Sequence, residues 1–401
     1  MLSLESAREK LLGSIKLLPA ERVPLAAAPG CFFAEPIAAP IDLPRFDNSA
    51  MDGYAVRSDD LKEASADASV SLKQIAHIGA GEVFRGTISK LECARIFTGS
   101  VLPHGADAVV MQEDVTVKGD RIQFTEPVKP LENVRLRGED IRAGSIIANP
   151  GDEMTATLAS LAAATGHGEI SVRTRPRVAL VSTGSELVEP GQPLAEGKIY
   201  ESDRILIASL LREIHCEPAI LPLVPDNLDS TIAAFQQAFA QNDFVISTGG
   251  VSVGELDFVK AAFERMGGKL EFWKVAMRPG KPFVHGTFGD KHLFGLPGNP
   301  VSALVTFLLL ARPALLKAAG ARDLDLPCLE GELVERLVNR GERRHFVRAR
   351  WSRGKIHVAG PQSSHMIGSL GSANCLIDVP PQSQLESGQL VAAHLWQLPS
   401  D

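Results

Sequence analysis

Phe244-Val245-Ile246-Ser247-Thr248-Gly249-Gly250-Val251-Ser252-Val253-Gly254 runs from three apolar residues into a glycine-rich loop, and a helical pattern follows at about 256–266. The same order recurs at Leu296-Pro297-Gly298-Asn299-Pro300-Val301-Ser302, where an apolar run near 292–296 opens into a loop and then a helix to about 318. Asn299 is the expected N-cap there, with Pro300 at the first helical position. A strand, a glycine loop and a helix in succession leave unpaired backbone N–H groups at the positive end of a helix dipole, which suits an anion. Between the two junctions stands Arg278-Pro279-Gly280-Lys281-Pro282. Two such junctions flanking a basic loop point to a substrate with several negative groups.

Outward from these loops, residues 178–181 read as a buried strand running into Ser182-Thr183-Gly184-Ser185-Glu186. Helices are expected at about 203–214, capped by Ser202 or Asp203, and at about 229–240. Further strands fall at 218–224 and near 270–276. Strands alternating with helices predict a three-layer α/β domain with a mostly parallel sheet. In such sheets ligands bind beyond the carboxyl ends of the strands, where the loops at 182–186, 247–254 and 296–302 fall.

The flanks read differently. Residues 3–18 form an amphipathic helix capped by Ser3, with Leu4, Ala7, Leu11, Ile15 and Leu18 in one stripe. Residues 22–50 are rich in proline and alanine and read as irregular. Residues 53–136 carry short alternating runs broken by turn signals, a small β-rich domain. Residues 137–151 look like a connector, and 155–164 a helix ended by Gly166. A linker at 323–327 leads to a second β domain over 328–398.

The 401 residues suggest about three domains. Net charge is −7, from 41 basic and 48 acidic residues, which argues against a nucleic-acid binder acting through bulk charge. The five cysteines show no CxxC spacing, as expected in a reducing compartment. The N-terminus lacks an apolar signal region, and the longest apolar run, 303–311, includes Thr306 and is short of the ~20 residues that span a bilayer. A soluble, cytoplasmic protein without membrane or nucleic-acid contacts is expected.

Lys274, Arg278 and Lys281 place three cations within eight positions, braced by Pro279 and Pro282. A solvated turn would account for them; an oxyanion pocket accounts for them together with the glycine loops. Glu186, Asp226 and Asp257 sit at or beyond strand ends, where carboxylates would repel an anion unless Mg²⁺ lay between. Helix capping explains Asp257 equally well. Arg45-Phe46-Asp47-Asn48-Ser49-Ala50-Met51-Asp52-Gly53-Tyr54-Ala55 is a polar, aromatic-bearing loop, and Arg343-Arg344-His345-Phe346-Val347-Arg348 is a basic cluster or a polar strand face. Histidine spacing offers no zinc or iron site. Gly250 to Gly254 spells GxSxG around Ser252, but several residues separate it from the strand, unlike a nucleophile elbow.

Together these segments resemble the molybdopterin molybdenumtransferases, the MoeA family, which includes the C-terminal domain of gephyrin. The matching stretches are PRFDNSAMDGYAV (44–56), IFTGSVLPHGADAVV (96–110), RGEDI (137–141), VSTGSEL (181–187), STGGVSVGELDFV (247–259), FWKVAMRPGKPF (272–283), LPGNPVSALV (296–305) and SHMIGSLGSANCLI (364–377). The resemblance implies a multidomain α/β and β protein. Its parts would be a discontinuous dimerisation region (1–52 and 137–172), an inserted β-rich domain (53–136), a central α/β molybdopterin-binding domain (173–325) and a C-terminal β-barrel (326–401). It implies a cytoplasmic homodimer that inserts molybdenum from molybdate into adenylylated molybdopterin, with Mg²⁺ present and AMP released. A molybdopterin adenylyltransferase would act upstream.

Carried over by motif, Asp52, Thr98, Asp140, Glu186, Asp226 and Asp257 match active-site positions, and Lys274 and Arg278 join the catalytic set. Glu186, Asp226 and Asp257 form the metal set. The loop residues Ser182, Thr183, Gly184, Gly249, Gly250, Ser252, Gly298, Asn299 and Pro300 would cradle the substrate. Lys281, Pro282, Ser302, Arg348 and Ser369 match positions near the molybdate and phosphate pocket. Arg278 stands where the family often has Lys, Ser185 where an acid is common, and Glu255 where Asp is common. Two other readings compete: a different nucleotide enzyme on the same α/β domain, and a scaffold without turnover. The matches outside that domain favour the transferase over the first, and the retained site charges favour it over the second.

Overall fold

The computed structural model describes residues 1–249 and 258–398. Its central sheet begins with β1 (Arg177–Ser182), and the chain continues through α2 (Asp203–Glu213), β2 (Glu217–Ile220), α3 (Leu228–Gln241) and β3 (Phe244–Thr248). After α4 (Phe258–Arg265) come β4 (Lys269–Lys274), β5 (Pro282–Phe288) and β6 (Lys291–Leu296), then helix α5 (Pro300–Ala318). The helix α1 (Leu4–Ser14) opens the chain.

The sheet order is β2-β1-β3-β6-β5-β4. The pairs β1·β2, β1·β3 and β3·β6 are parallel, and β5 joins β6 and β4 antiparallel. Val178 and Leu180 turn to one face, packing with Ile207 and Leu211 of α2 and Leu304 and Leu315 of α5. Ala179 and Val181 turn to the other, against Phe235 and Phe239 of α3 and Phe263 of α4. Strands covered on both faces read as continuous apolar runs, which is why the sheet was legible. The mostly parallel three-layer architecture is as expected. Strand β5 was not expected, since it starts at a proline inside a charged, turn-like segment.

Helix α5 is an α-helix interrupted by one π turn at Phe307–Ala311, where the Arg312 N–H donates to the Phe307 carbonyl. Pro313 supplies the reason: its ring and missing N–H do not fit an unbroken α ladder, and a wider turn relieves both. Among the described residues it is the one helix long and apolar enough to cross a membrane, and 83% of that window is buried inside the protein as core.

Helix α1 is shorter than the 3–18 expected, because Ile15 turns to extended backbone (φ −80°, ψ 123°). Ser3 caps it as read, accepting from the Ser6 N–H at 3.1 Å. Its buried Ala7 and Leu11 enter the central core with α5, and the Lys317 ammonium donates to the Leu12 carbonyl at 2.6 Å. The region at 22–50 is not wholly irregular: Ala20–Pro24 pairs antiparallel with Glu169–Arg173.

Two β units flank this centre. Within residues 53–124 a six-stranded sheet has the order 108–111, 53–56, 92–96, 70–78, 121–124, 115–118. Towards the C-terminus Arg344–Ser352 pairs with both Lys355–Val358 and Cys375–Val379. Leu390–Leu395 and Cys328–Leu333 complete the ring, closing a barrel. Closure leaves no exposed edge. The barrel is tied to the central unit by Met277–Arg278, which pairs in parallel with Arg344–His345.

Leu11 is fully buried where α1 meets the central core. Leu11→Ala should lower unfolding free energy by about 2–5 kcal/mol, measured by urea denaturation. A loss below about 0.5 kcal/mol would mean that α1 contributes nothing to this core.

Candidate functional site

Strands β1, β3 and β6 are neighbours and parallel, so their carboxyl ends deliver Ser182 to Glu186, Gly249, and Pro297 to Pro300 to one edge. The loops then meet backbone to backbone. Gly249 has φ +81°, and a Cβ there would lie 2.7 Å from the Thr183 carbonyl oxygen. A Cβ on Gly298 would lie 3.2 Å from the Gly249 Cα. Only glycine fits the first contact. Asp226 comes to the same edge, its carboxylate accepting from the Ser185 N–H at 2.8 Å, next to Glu186. Gly250, Ser252 and Asp257 lie outside the described residues.

Two pockets open on either side of the 297–302 loop. Gly298 and Pro300 face a smaller one, of about 90 Å³, with Ser182, Thr183, Glu186 and Thr248. Pro297, Asn299 and Ser302 face a larger one, of about 450 Å³, with Arg278, Lys281 and Arg343. Pro282 also lines the larger pocket. Gly184 stays in the loop bordering the smaller pocket, its N–H donating to Val224. Lys274 lies opposite Pro282 in the β4·β5 register and is absent from the wall of the larger pocket.

The electrostatics of the pockets are opposite. Arg278, Lys281 and Arg343 give the larger one positive charge, suited to an oxyanion. His345 behind them adds none at neutral pH: burial, then the charges of Arg278, Arg348 and Arg343, hold it down at about 4. Glu186, Glu201 and Asp203 line the smaller pocket. Glu201 is paired, accepting from the Arg204 Nε at 3.1 Å. Asp203 is not: its Oδ1 is buried and has no hydrogen-bond partner among the described residues. Burial, reinforced by Glu201, pushes this carboxyl up to about 7.

Two expected caps differ. The Asn299 side chain does not cap α5; its Nδ2 donates to Ser364 Oγ at 3.4 Å across the larger pocket. Neither Ser202 nor Asp203 caps α2; Glu201 Oε1 instead accepts from the Arg204 N–H at 2.8 Å. Its longer side chain folds back over the helix start and leaves Asp203 facing the pocket.

Arg348 and Ser369 do not line the cationic pocket. Arg348 is fully buried, its Nε donating to Ser369 Oγ at 2.8 Å and its Nη2 to the Pro361 carbonyl at 2.7 Å. The segment that follows Pro361, Gln362 to His365, forms one wall of the pocket. These two residues therefore hold the wall in place. Asp52 and Thr98 form a separate pair, with Thr98 N–H and Oγ1 both donating to Asp52 Oδ1 at 2.8 Å. Those bonds hold the Asp52 carboxyl below its ordinary value. Asp140 is exposed and bonded through its N–H to the Leu43 carbonyl. No hydrogen bond or ion pair among the described residues joins Asp52, Thr98 or Asp140 to the glycine loops. Sequence reading missed Arg343, which it had left within a basic run, and Asp203, which it took for a cap.

Three family models match the chain. Residues 2–166 match the MoeA N-terminal region (domain I and II), 179–317 a probable molybdopterin binding domain, and 330–396 the MoeA C-terminal region (domain IV). A Haemophilus influenzae protein named molybdopterin molybdenumtransferase is 40% identical over 385 residues, covering 94% of each chain. A Nostoc protein of the same name is 37% identical, covering 91% of this chain and 84% of its own. Among solved structures, a molybdopterin biosynthesis MoeA protein from Pyrococcus horikosii superposes with a TM-score of 0.85 at 30% identity, covering 99% of both.

The Asp203 shift fixes the sign of a pH effect. Its carboxyl ionises near 3.8 when unfolded and about 7 when folded, so ionisation opposes folding. The penalty is absent below the lower value, grows between the two and is complete above the higher. Asp203→Asn should therefore raise the melting temperature at pH 8 and leave it unchanged near pH 4. An equal shift at both pH values would mean that Asp203 titrates normally in the fold.

Proposed function

The chain belongs to the MoeA family, the molybdopterin molybdenumtransferases, and from that premise we propose that it inserts molybdenum from molybdate into adenylylated molybdopterin with release of AMP. The observation that carries this reading is the cationic pocket of Arg278, Lys281 and Arg343 sharing the 297–302 loop with a second, acidic pocket. Molybdate is a dianion and needs cations close by; the phosphates of the second substrate suit the glycine loops and the start of α5.

Glu186 and Asp226 fit magnesium, because both are hard oxygen donors beside that edge, and Mg²⁺ commonly takes one or two carboxylates and keeps several waters. Asp257, outside the described residues, would be a third. When bound, the ion would neutralise phosphate charge and polarise the phosphoanhydride. The chain's own groups have separate tasks. Arg278 and Lys281 hold the oxyanion, Ser302 offers it a hydroxyl, and Arg348 keeps the opposing wall closed. Lys274, opposite Pro282 in the strand register and outside the pocket wall, would add its charge to this set from the neighbouring strand end.

The reading further takes the active form as a cytoplasmic homodimer supplied by a molybdopterin adenylyltransferase. Asp52, Thr98 and Asp140 would complete the pockets of the partner subunit, in keeping with the lack, among the described residues, of any hydrogen bond or ion pair between them and the glycine loops of their own chain. Mixing the impaired variants Asp52→Ala and Lys281→Ala, assayed at limiting molybdate, should then raise activity above that of either alone through hybrid dimers. A mixture as inactive as its components would remove the shared-site arrangement.

The deciding assay is AMP release from adenylylated molybdopterin with Mg²⁺, with molybdate present or omitted. Release that depends on molybdate, with metal retained on the pterin, is expected. Tight pterin binding without release would mean a scaffold. Lys281→Ala should raise the KM for molybdate about tenfold or more, the worth of a charge-assisted contact, and leave pterin affinity within about threefold. An unchanged molybdate dependence would take Lys281 out of the pocket's chemistry.

A further inference from the structure

Asp52 and Thr98 come off the ends of two neighbouring strands. Asp52 precedes Gly53–Val56, and Thr98 lies two residues past Glu92–Ile96. The strands pair antiparallel with Gly53 opposite Ile96, so the Asp52–Thr98 pair sits just beyond the end of their ladder.

Arg95 bridges these two ends. Its Nη1 donates to the Gly53 carbonyl at 2.8 Å and to the Ile96 carbonyl at 3.4 Å. Its Nη2 donates to the side-chain oxygen of Gln112. The Gln112 N–H in turn donates to the Asp52 carbonyl at 3.1 Å. The carbonyls of Asp52 and Gly53 are thus both held, the first through Gln112 and the second by Arg95 itself. On the other strand the guanidinium lies over Phe97, with Cζ 4.6 Å from the ring centroid, and it is 5.3 Å from the Tyr54 ring. Phe97 immediately precedes Thr98, the residue that donates twice to Asp52. Gly53 keeps the backbone from shifting sideways: a Cβ there would lie 2.0 Å from the Val110 carbonyl oxygen.

Packing alone does not call for an arginine here. The core beneath these strands is Tyr54, Leu72, Cys93 and Ile122, and Arg95 is half-buried outside it. Arginine combines a planar fork of donors with a face that stacks on aromatic rings. Arg95 uses both, at the residue after Asp52 and the residue before Thr98. Both Thr98 bonds go to Asp52 Oδ1, so the direction of the second carboxylate oxygen depends on the backbone that Arg95 ties down. The charge of Arg95 also favours the ionised carboxylate, after the larger effect of the Thr98 bonds.

We propose that Arg95 is a positioning residue: by tying Gly53 to Phe97 it holds the Asp52 carboxylate in the direction that turnover requires. The inference rests on the transferase reading, in which Asp52 meets the substrate.

The test is a double-mutant cycle on kcat for molybdate-dependent AMP release by the full chain. Arg95→Met keeps a long side chain without the fork and should lower kcat by about tenfold or more, the worth of a hydrogen bond from a charged group. In the Asp52→Ala background the same substitution should lower it by less than about twofold, because Arg95 acts through Asp52. Arg95→Lys keeps the charge without the fork and should stay about fivefold or more below wild type. Gln112→Leu removes one anchor of the guanidinium and leaves the Gln112 N–H on Asp52. It lies on an exposed side chain, so it should melt like wild type and show the same dependence on background with a smaller loss. If Arg95→Met melts early, the Gln112→Leu cycle reads the same coupling. An equal fall in both backgrounds would be a merely structural effect and would overturn the inference. Wild-type kcat in Arg95→Met would overturn it too, as would full activity in Arg95→Lys, since charge would then suffice. Each of these leaves the transferase reading intact. A wild-type protein that releases no AMP with molybdate present would remove that reading and the inference with it.

Discussion

Three backbone segments touch at one point, and the site depends on it. Thr183, Gly249 and Gly298 come together with no room for a side chain between them. This contact is possible only because β1, β3 and β6 are adjacent and parallel, so that three strand ends stop at one edge. The adjacency in turn requires helices on both faces, since each strand is apolar on both sides. The same contact turns the 297–302 loop into a partition. Successive residues on it face opposite ways, and the spaces on its two sides differ in charge.

The cationic side is built from more than the central sheet. Arg278 and Lys281 come from the segment between β4 and β5, and Arg343 from the start of the barrel. The two are joined where Met277–Arg278 pairs with Arg344–His345. Arg348 then reaches from the barrel strand into the loop that forms the opposing wall. Like charges gathered this way repel, and the repulsion is eased because Arg348 directs its Nε to a hydroxyl and its Nη2 to a carbonyl, leaving only its Nη1 buried without a partner among the described residues, while His345 stays neutral. What remains is a small set of cations facing open space, the condition for capturing an oxyanion.

Much of the fold was readable because its signals are local. The buried strands are continuous apolar runs, α3 follows a good Asn227 cap, and the helix at 156–164 ends in a turn that needs Gly166 at φ +96°. The misreadings share a cause. Strand β5 hides behind Pro282, because propensity treats a proline as a break and ignores that it lies at a strand's first residue, where it is tolerated. Asn299 has the right composition and place for a cap, but a partner across the pocket, Ser364, takes its amide instead. Asp203 is a good first-turn residue by propensity, and only the position of Glu201 decides that it faces a cavity.

The sequence by itself determined the order of elements, the glycine loops and the residue types available for chemistry, and its motifs reached the family. Those features are set by neighbours a few positions apart, through hydrogen-bond spacing and backbone freedom. The tertiary structure alone decided which charges share a space. Residues as distant as Arg278 and Arg343, or Glu186 and Asp203, meet only after the sheet has formed and the barrel has docked on it. Burial then settles what they can do: a carboxyl that is ordinary in the extended chain becomes, among the described residues, an unpaired acceptor in a slot lined by no cation, and an arginine that looks like surface charge becomes the brace of a wall.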